Sequence, residues 1–334
     1  MADIADGARA LGVEFPLVQA GMGGIANPDL AVAVCEAGAL GTIALYKLDA
    51  ERSRDLVAET AERTGRAFGV NVIPEVAGEA LLRRQLDAAL GGLPAGRTAV
   101  LNSYGLPPRW LAEALRGGPY RLLVQVGTAD DAARATDLGC AVVALQGTEA
   151  GGHLLGRLTR SALLAETAGR GLGVPLLAAG GLSHGAELAA ASQQGAAGWM
   201  CGTAFVAAVE SGAHPRYKQA LVAASPGDTV ITDRFDIGWP GRRHRVLRGV
   251  VTDSPAPLPS SFIAWTTVAG GRQPVPRGSA AAPTAEAEGG VDEMARYAGT
   301  GCVAVTAVTG AARIVTDLRT GFLHALKESN THGR

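Results

Sequence analysis

Eight short apolar runs, each separated from the next by a helix-length segment, dominate the first two thirds of the chain. They cover residues 17–20, 40–44, 68–72, 99–101, 121–126, 141–145, 175–179 and 198–200. Runs this short and apolar read as strands buried on both faces, the pattern of parallel sheets covered by helices. The first intervening helix is well bordered: Asn27 is placed to cap it, Pro28 takes its first position, and Gly38 follows its end at Ala37. Eight strands alternating with helices predict a (β/α)8 TIM barrel. A doubly wound open sheet would show the same alternation, so the pattern alone leaves closure open.

The alternation stops near Leu221. Residues 223–298 are rich in Pro, Gly, Ser and Thr and hold the basic cluster Arg242-Arg243-His244-Arg245. That cluster suits either an anionic carrier or nucleotide, or a solvated loop. Stretches 255–259 and 280–290 read as loops or partly disordered segments. Regular patterning returns over 302–326, with an amphipathic helix expected at 311–326. The chain is therefore expected to divide into a barrel, 1–222 with 299–334, and an inserted smaller lid or substrate segment, 223–298.

Bulk properties exclude several classes. Thirty Lys and Arg against 31 Asp and Glu give a net charge of −1, without the basic footprint of a nucleic-acid binder. Cys35, Cys140, Cys201 and Cys302 lie far apart with no CxxC pair, so neither a zinc site nor a disulfide framework is expected. No two histidines show metal-ligand spacing, and neither a Gly-x-Ser-x-Gly elbow nor a Walker loop occurs. The first residues lack a secretory pattern, and no apolar run reaches the roughly 18 residues of a membrane span. A soluble cytoplasmic protein is expected.

Chemistry is expected at the strand ends. After the run 141–145 comes Gln146-Gly147-Thr148-Glu149-Ala150-Gly151-Gly152-His153, a histidine behind two glycines that let backbone approach a flat ligand. Ala179-Gly180-Gly181 and Gly202-Thr203 follow the seventh and eighth runs, where barrels commonly hold a phosphate on backbone N–H groups. Ser183 is placed to cap the helix after the seventh run. His184 and His214 suit capping or surface roles, and His244, among arginines, is disfavoured as a neutral base. Gly21-Met22-Gly23-Gly24-Ile25-Ala26 matches a dinucleotide fingerprint, with Asp49 near the expected acidic position. The late phosphate-type loops favour a different reading, in which this loop lies under a cofactor ring in a barrel. Asn71 ends the third run, where its amide could meet a polar ring edge or cap a turn.

These residues together resemble the flavin-dependent nitronate monooxygenase family. The resemblance runs through 16–24, 68–71, 146–153, 179–181, 202–205 and 214–218, about two thirds of the chain. It implies an FMN-containing barrel whose phosphate sits at Gly180, Gly181, Gly202 and Thr203, with Ala179 also among the cofactor-binding residues. The ring would lie against Met22, Gly23 and Gly24, near Asn71, Val126 and Gly151. His153 would be the active-site histidine, a base toward the carbon α to a nitro group or a support for the anionic nitronate. The flavin would take an electron, passing through a semiquinone, and be reoxidised by O2. Implied partners are a small-molecule substrate and O2; NAD(P)H as donor and a homodimer are both compatible. Relatives sharing the motif reduce enoyl thioesters or quinones with NAD(P)H, and a phosphate-binding isomerase or lyase is the non-redox alternative. Position 21 is Gly where many members have Pro, and residues 233–247 carry no assignable role.

Overall fold

The computed structural model describes residues 3–256, 258–268 and 271–332. Its helices and strands, in chain order, begin with α1 (Ile4–Leu11), β1 (Leu17–Gln19), α2 (Pro28–Glu36), β2 (Thr42–Ala44), α3 (Ala50–Arg63), β3 (Gly69–Val72), α4 (Pro74–Gly92) and β4 (Ala99–Tyr104). They continue with α5 (Arg109–Leu115), β5 (Tyr120–Val126), α6 (Ala129–Asp137), β6 (Val142–Gln146), β7 (Gly152–His153), α7 (Arg160–Ala168), β8 (Leu176–Ala179), α8 (Gly185–Gln193) and β9 (Gly198–Cys201). Five of these helices start on a side chain that accepts a backbone N–H: Asp3 from Ala5, Asn27 from Leu30, Asp49 from Arg52, Thr128 from Asp131 and Thr159 from Ala162. Each such cap is worth about 1 kcal/mol.

All strands of this run except β7 join one parallel sheet in the order β1-β9-β8-β6-β5-β4-β3-β2. Its two edges meet. Leu40 donates its N–H to Leu17 at 2.8 Å and accepts from Gln19 at 2.9 Å, a parallel bridge centred on Val18. Closure settles the ambiguity left by the strand–helix alternation: the fold is a (β/α)8 barrel, not an open doubly wound sheet.

Side chains alternate across the strands, as a pleated backbone requires. Val18, Val100, Leu123, Val142, Leu177 and Met200 fill the inside of the barrel, joined by Leu11 of α1. Leu17, Ile43, Val70, Leu101, Val124, Val143 and Trp199 point outward into the layer under the helices. Each such buried aliphatic contributes roughly 1.5–3 kcal/mol. Helix α1 crosses the N-terminal mouth, where Arg121 at the start of β5 donates to the carbonyls of Arg9 and Ala10.

The rest of the chain comprises α9 (Thr203–Val206), α10 (Pro215–Val222), β10 (Thr229–Thr232), β11 (His244–Leu247), α11 (Val250–Asp253), β12 (Phe262–Val268), β13 (Gly271–Pro276), β14 (Glu288–Gly289) and α12 (Ala311–His332). Residues 223–298 are more ordered than their composition predicts. Strands β13-β12-β14 form a sheet over a small core of Ala264, Val275, Ala287, Val291 and Met294. The stretch 280–290, expected as loop, contributes β14; within 255–259, Pro257 lies outside the described residues. Helix α12 then returns to the barrel. Phe322 packs edge-on against Trp199 at 4.7 Å, and Gly321 meets Gly185 of α8 so closely that a Cβ at 185 would lie 2.0 Å from backbone carbon.

Candidate active site

The C-terminal ends of the barrel strands open into a cavity of about 180 Å³. Tyr104, Gln125 and Gln146 point into it from β4, β5 and β6, and Asn71 from β3. Met22, Gly23, Gly151, Ala179, Gly180, Gly181, Gly202 and Thr203 also line it, together with His153. Ten of the twelve residues singled out in the sequence thus come together.

Two do not. Val126 belongs to the outward layer, and Gln125, one residue earlier, holds the inward position. With a side-chain period of two, a one-residue shift exchanges the faces. Gly24 turns toward the segment 223–298, and a Cβ there would stand 2.8 Å from the Thr284 methyl. The dinucleotide fingerprint also loses its acid, because Asp49 caps α3. Ser183 lines the cavity instead of capping α8. The cap position is His184, and the Glu187 carboxylate accepts from the N–H groups of both. His214 caps α10 through Nδ1, which accepts from Arg216 at 3.1 Å.

The loop carrying His153 is tied down from several sides. Gln146 Nε2 donates to the His153 carbonyl at 3.0 Å, and its Oε1 accepts from Leu155 N–H at 2.9 Å. Strand β7 pairs antiparallel with β11, His153 opposite His244, in a sheet β10-β11-β7. Leu154 donates to the Arg243 carbonyl, and Arg245 Nε donates to Thr148. Of the two glycines, Gly152 has φ +84° with open space where a Cβ would stand. At Gly151 a Cβ would lie 2.6 Å from Gly299 N, so that glycine admits returning backbone rather than a ligand.

His153 is only 6% exposed, and its Nε2 is buried without a hydrogen-bond partner. Burial first, then the nearby His244 and Arg242, pushes its pKa down to about 3. The imidazole is therefore neutral at ordinary pH. His244 is fully buried and also held below the usual histidine range, chiefly by burial. Its Nε2 accepts from Phe235 N–H at 3.2 Å, which places the proton on Nδ1, 3.0 Å from the Arg242 carbonyl. It is a neutral structural histidine beside the site, 5.1 Å from the His153 ring.

An aromatic wall surrounds His153. The Trp239 indole stacks on its imidazole at 3.9 Å and 18°, and Tyr297 lies 5.4 Å away. Tyr46 and Tyr104 complete the wall against Trp239 at 6.2 and 5.4 Å. Sequence reasoning missed all four, because they come from four separate segments. Only Tyr104 had a readable signal, the inward alternation of 100, 102 and 104 along an apolar run. Among the described residues no Asp, Glu, Lys or Arg lines this cavity, and no cluster of His, Cys, Asp and Glu could hold a metal. The basic cluster is also accounted for in part: Arg242 pairs with Glu75, and Arg245 bonds Thr148 and Thr229. No helix of the described residues is long and apolar enough to cross a membrane.

The same architecture recurs in known proteins. Nitroalkane oxidase from Streptomyces ansochromogenes superposes with a TM-score of 0.74 at 28% identity, covering 96% of this chain and 99% of its own. The FabK structure from Thermotoga maritima gives a TM-score of 0.77 over 97% and 98%, and at 24% identity this likeness speaks to the fold alone. A nitronate monooxygenase from Pseudomonas aeruginosa is 34% identical over 267 residues, covering 67% of this chain and 75% of the relative. The model of the family described as nitronate monooxygenase matches residues 8–90 and 93–321, which take in both the barrel and the segment over it. A match of that extent makes the chain an oxidoreductase of the nitronate monooxygenase family.

Proposed function

We propose that this protein is an FMN-dependent nitronate monooxygenase that oxidises small nitronates with O2. The observation that carries the reading is the neutral, desolvated His153, whose Nε2 is buried without a partner and which lines a cavity free of charged side chains. Membership of an oxidoreductase family removes the isomerase or lyase alternative.

The cavity fits FMN. Gly180 and Gly181 line it at φ +108° and +68°, and Gly202 and Thr203 begin α9, whose first N–H groups have no helical partner. These four, with Ala179, would hold the phosphate. Met22, Gly23 and Gly151 would face the ring, with the Asn71 and Gln125 amides for its polar edge. When bound, FMN supplies electron transfer and reoxidation by O2.

The work of the chain is to place the substrate. A base with a pKa near 3 removes a carbon-bound proton poorly, but the negative charge of a bound anion opposes the burial and neighbouring charges that depress it. A nitronate at Nε2 would draw a proton onto His153 and be held by a charge-assisted hydrogen bond. Between the two roles considered for His153, support of the nitronate is the one this environment favours. The tyrosines and Trp239 exclude water and strengthen that bond.

Three outcomes follow. The purified protein shows the absorption bands of oxidised flavin. Nitronates are oxidised at least about 100-fold more efficiently than their neutral nitroalkanes, and His153→Ala lowers kcat/KM for the nitronate by about 10²–10⁴. Turnover of the nitronate unchanged in His153→Ala would sink the role given to that residue.

A further inference from the structure

The segment that bears Trp239 is fastened to the barrel by contacts that the fold itself does not need. Trp239 Nε1–H donates to Glu75 Oε1 at 3.3 Å. Arg242 grips the same carboxylate, Nη2 to Oε2 at 2.6 Å and Nε to both oxygens at 3.0 Å. Lys47 Nζ donates to the Gly238 carbonyl at 3.4 Å, from a residue in the left-handed region at φ +57°. Lysine rarely adopts that conformation, so its persistence here points to a contact worth holding. Glu75 stands in the first turn of α4, cut from the rest of that helix by Gly78 at φ +66°. Two barrel loops therefore reach up to a single turn of the chain, and between them they press the indole onto the imidazole.

A second cavity lies behind this fastening. It has a volume of about 260 Å³ and is walled by Glu75, Arg242, Asp131, Leu155 and Tyr104. Tyr104 lines both cavities, and Glu75, which lines the second, accepts the hydrogen bond from Trp239, which lines the first. The pair is partly exposed, with side chains 33% and 38% accessible, and ion pairs of that kind are weak enough to open and reclose.

We propose that Trp239 is a specificity-determining shutter, held by Glu75, that keeps the face of His153 covered and admits only compact substrates beside it. This rests on the reading of the site as one for nitronates. With the indole in place, a substituent extending over the imidazole face meets a ring already at stacking distance. When Glu75 releases, the indole swings toward the second cavity and that face is uncovered. Specificity then comes from exclusion rather than from a recognising charge, in keeping with a lining that has none.

The test compares wild type with Trp239→Ala, Trp239→Phe and Glu75→Gln on propyl-1-nitronate and on a phenyl-substituted nitronate. The ratio of kcat/KM, phenyl over propyl, is expected to rise at least about tenfold in Trp239→Ala and less in Trp239→Phe. A ratio within about twofold of wild type in both overturns the proposal. In Glu75→Gln the indole remains but its hold is lost, so acrylamide quenching of the Trp239 emission, isolated by difference against Trp239→Phe, is expected to at least double. Unchanged quenching overturns the role of Glu75. The ring-proton NMR signals of His153 provide a readout that needs no turnover. In the Trp239 variants they are expected to titrate closer to the ordinary histidine range, and an unmoved titration counts against the shutter. If no nitronate is turned over by any form, the nitronate reading fails, while quenching and titration still decide whether Trp239 covers His153.

Discussion

His153 shows how far a residue's chemistry depends on its surroundings. Its motif was legible, a histidine directly behind two glycines beyond a strand end, but its protonation state was not. That state comes from Trp239, Tyr297 and His244, contributed by segments up to 144 residues further along. The consequence for stability has a definite sign. Its folded pKa, about 3, lies below the ordinary value of 6.5, so the folded form binds fewer protons. The associated stability is present above pH 6.5 and lost as pH falls from 6.5 toward 3, by about 1.4 kcal/mol for each pH unit. His153→Phe is expected to flatten this part of an acid denaturation curve, and an unaltered curve would show that His153 is not held neutral. Lys218 gives a second case. Its buried ammonium donates to the carbonyls of Ala208, Val209 and Ser211 at 2.7–3.2 Å. Lys218→Met removes this donor from all three carbonyls, of which Ala208 keeps the Ser211 N–H, and is expected to cost about 1–3 kcal/mol by urea denaturation.

At the scale of elements, the strand–helix alternation was readable because both-face burial leaves a strong mark in sequence. Boundaries were less so: β4 runs three residues beyond the expected 99–101, and that extension carries Tyr104 into the cavity. Val126 lies outside the cavity lining for the opposite reason. The strand was found, but a continuous apolar run has no alternation from which to tell its inner face. Strand β7 has two residues and exists only because β11 pairs with it, so no local signal could announce it. This pairing also explains the constraint at Gly151. Gly151→Ala places a methyl against Gly299 N and the Ala298 carbonyl carbon, and is expected to destabilise the fold by about 1–3 kcal/mol. It should also release flavin more readily, measured as the fraction bound after dialysis. Full retention of stability would show that the backbone here can relax. Gly21 illustrates the same tightness: a Cβ there would lie 2.3 Å from Asn71, so Pro at this position would require Asn71 to move.

Across the whole molecule, the barrel supplies a rigid ring of strand ends, and residues 223–298 supply the aromatic cover. The closed ring was expected; the cover's order was not, because its composition resembles that of loops. Its strands pair mostly with one another, β10 with β11 and β12 with β13, and β11 alone pairs with the distant histidine loop. The site is thus a joint product of two parts of the chain, with electrostatics set by exclusion of water rather than by charge. The central claim is that this enclosure serves a nitronate held at a neutral His153. Anaerobic mixing of the purified protein with propyl-1-nitronate, followed by visible absorbance, tests it most directly. The account predicts rapid bleaching of the bound flavin by the nitronate, slowed at least about 100-fold in His153→Ala. An unchanged spectrum on adding nitronate, with rapid bleaching by NADH instead, would contradict it.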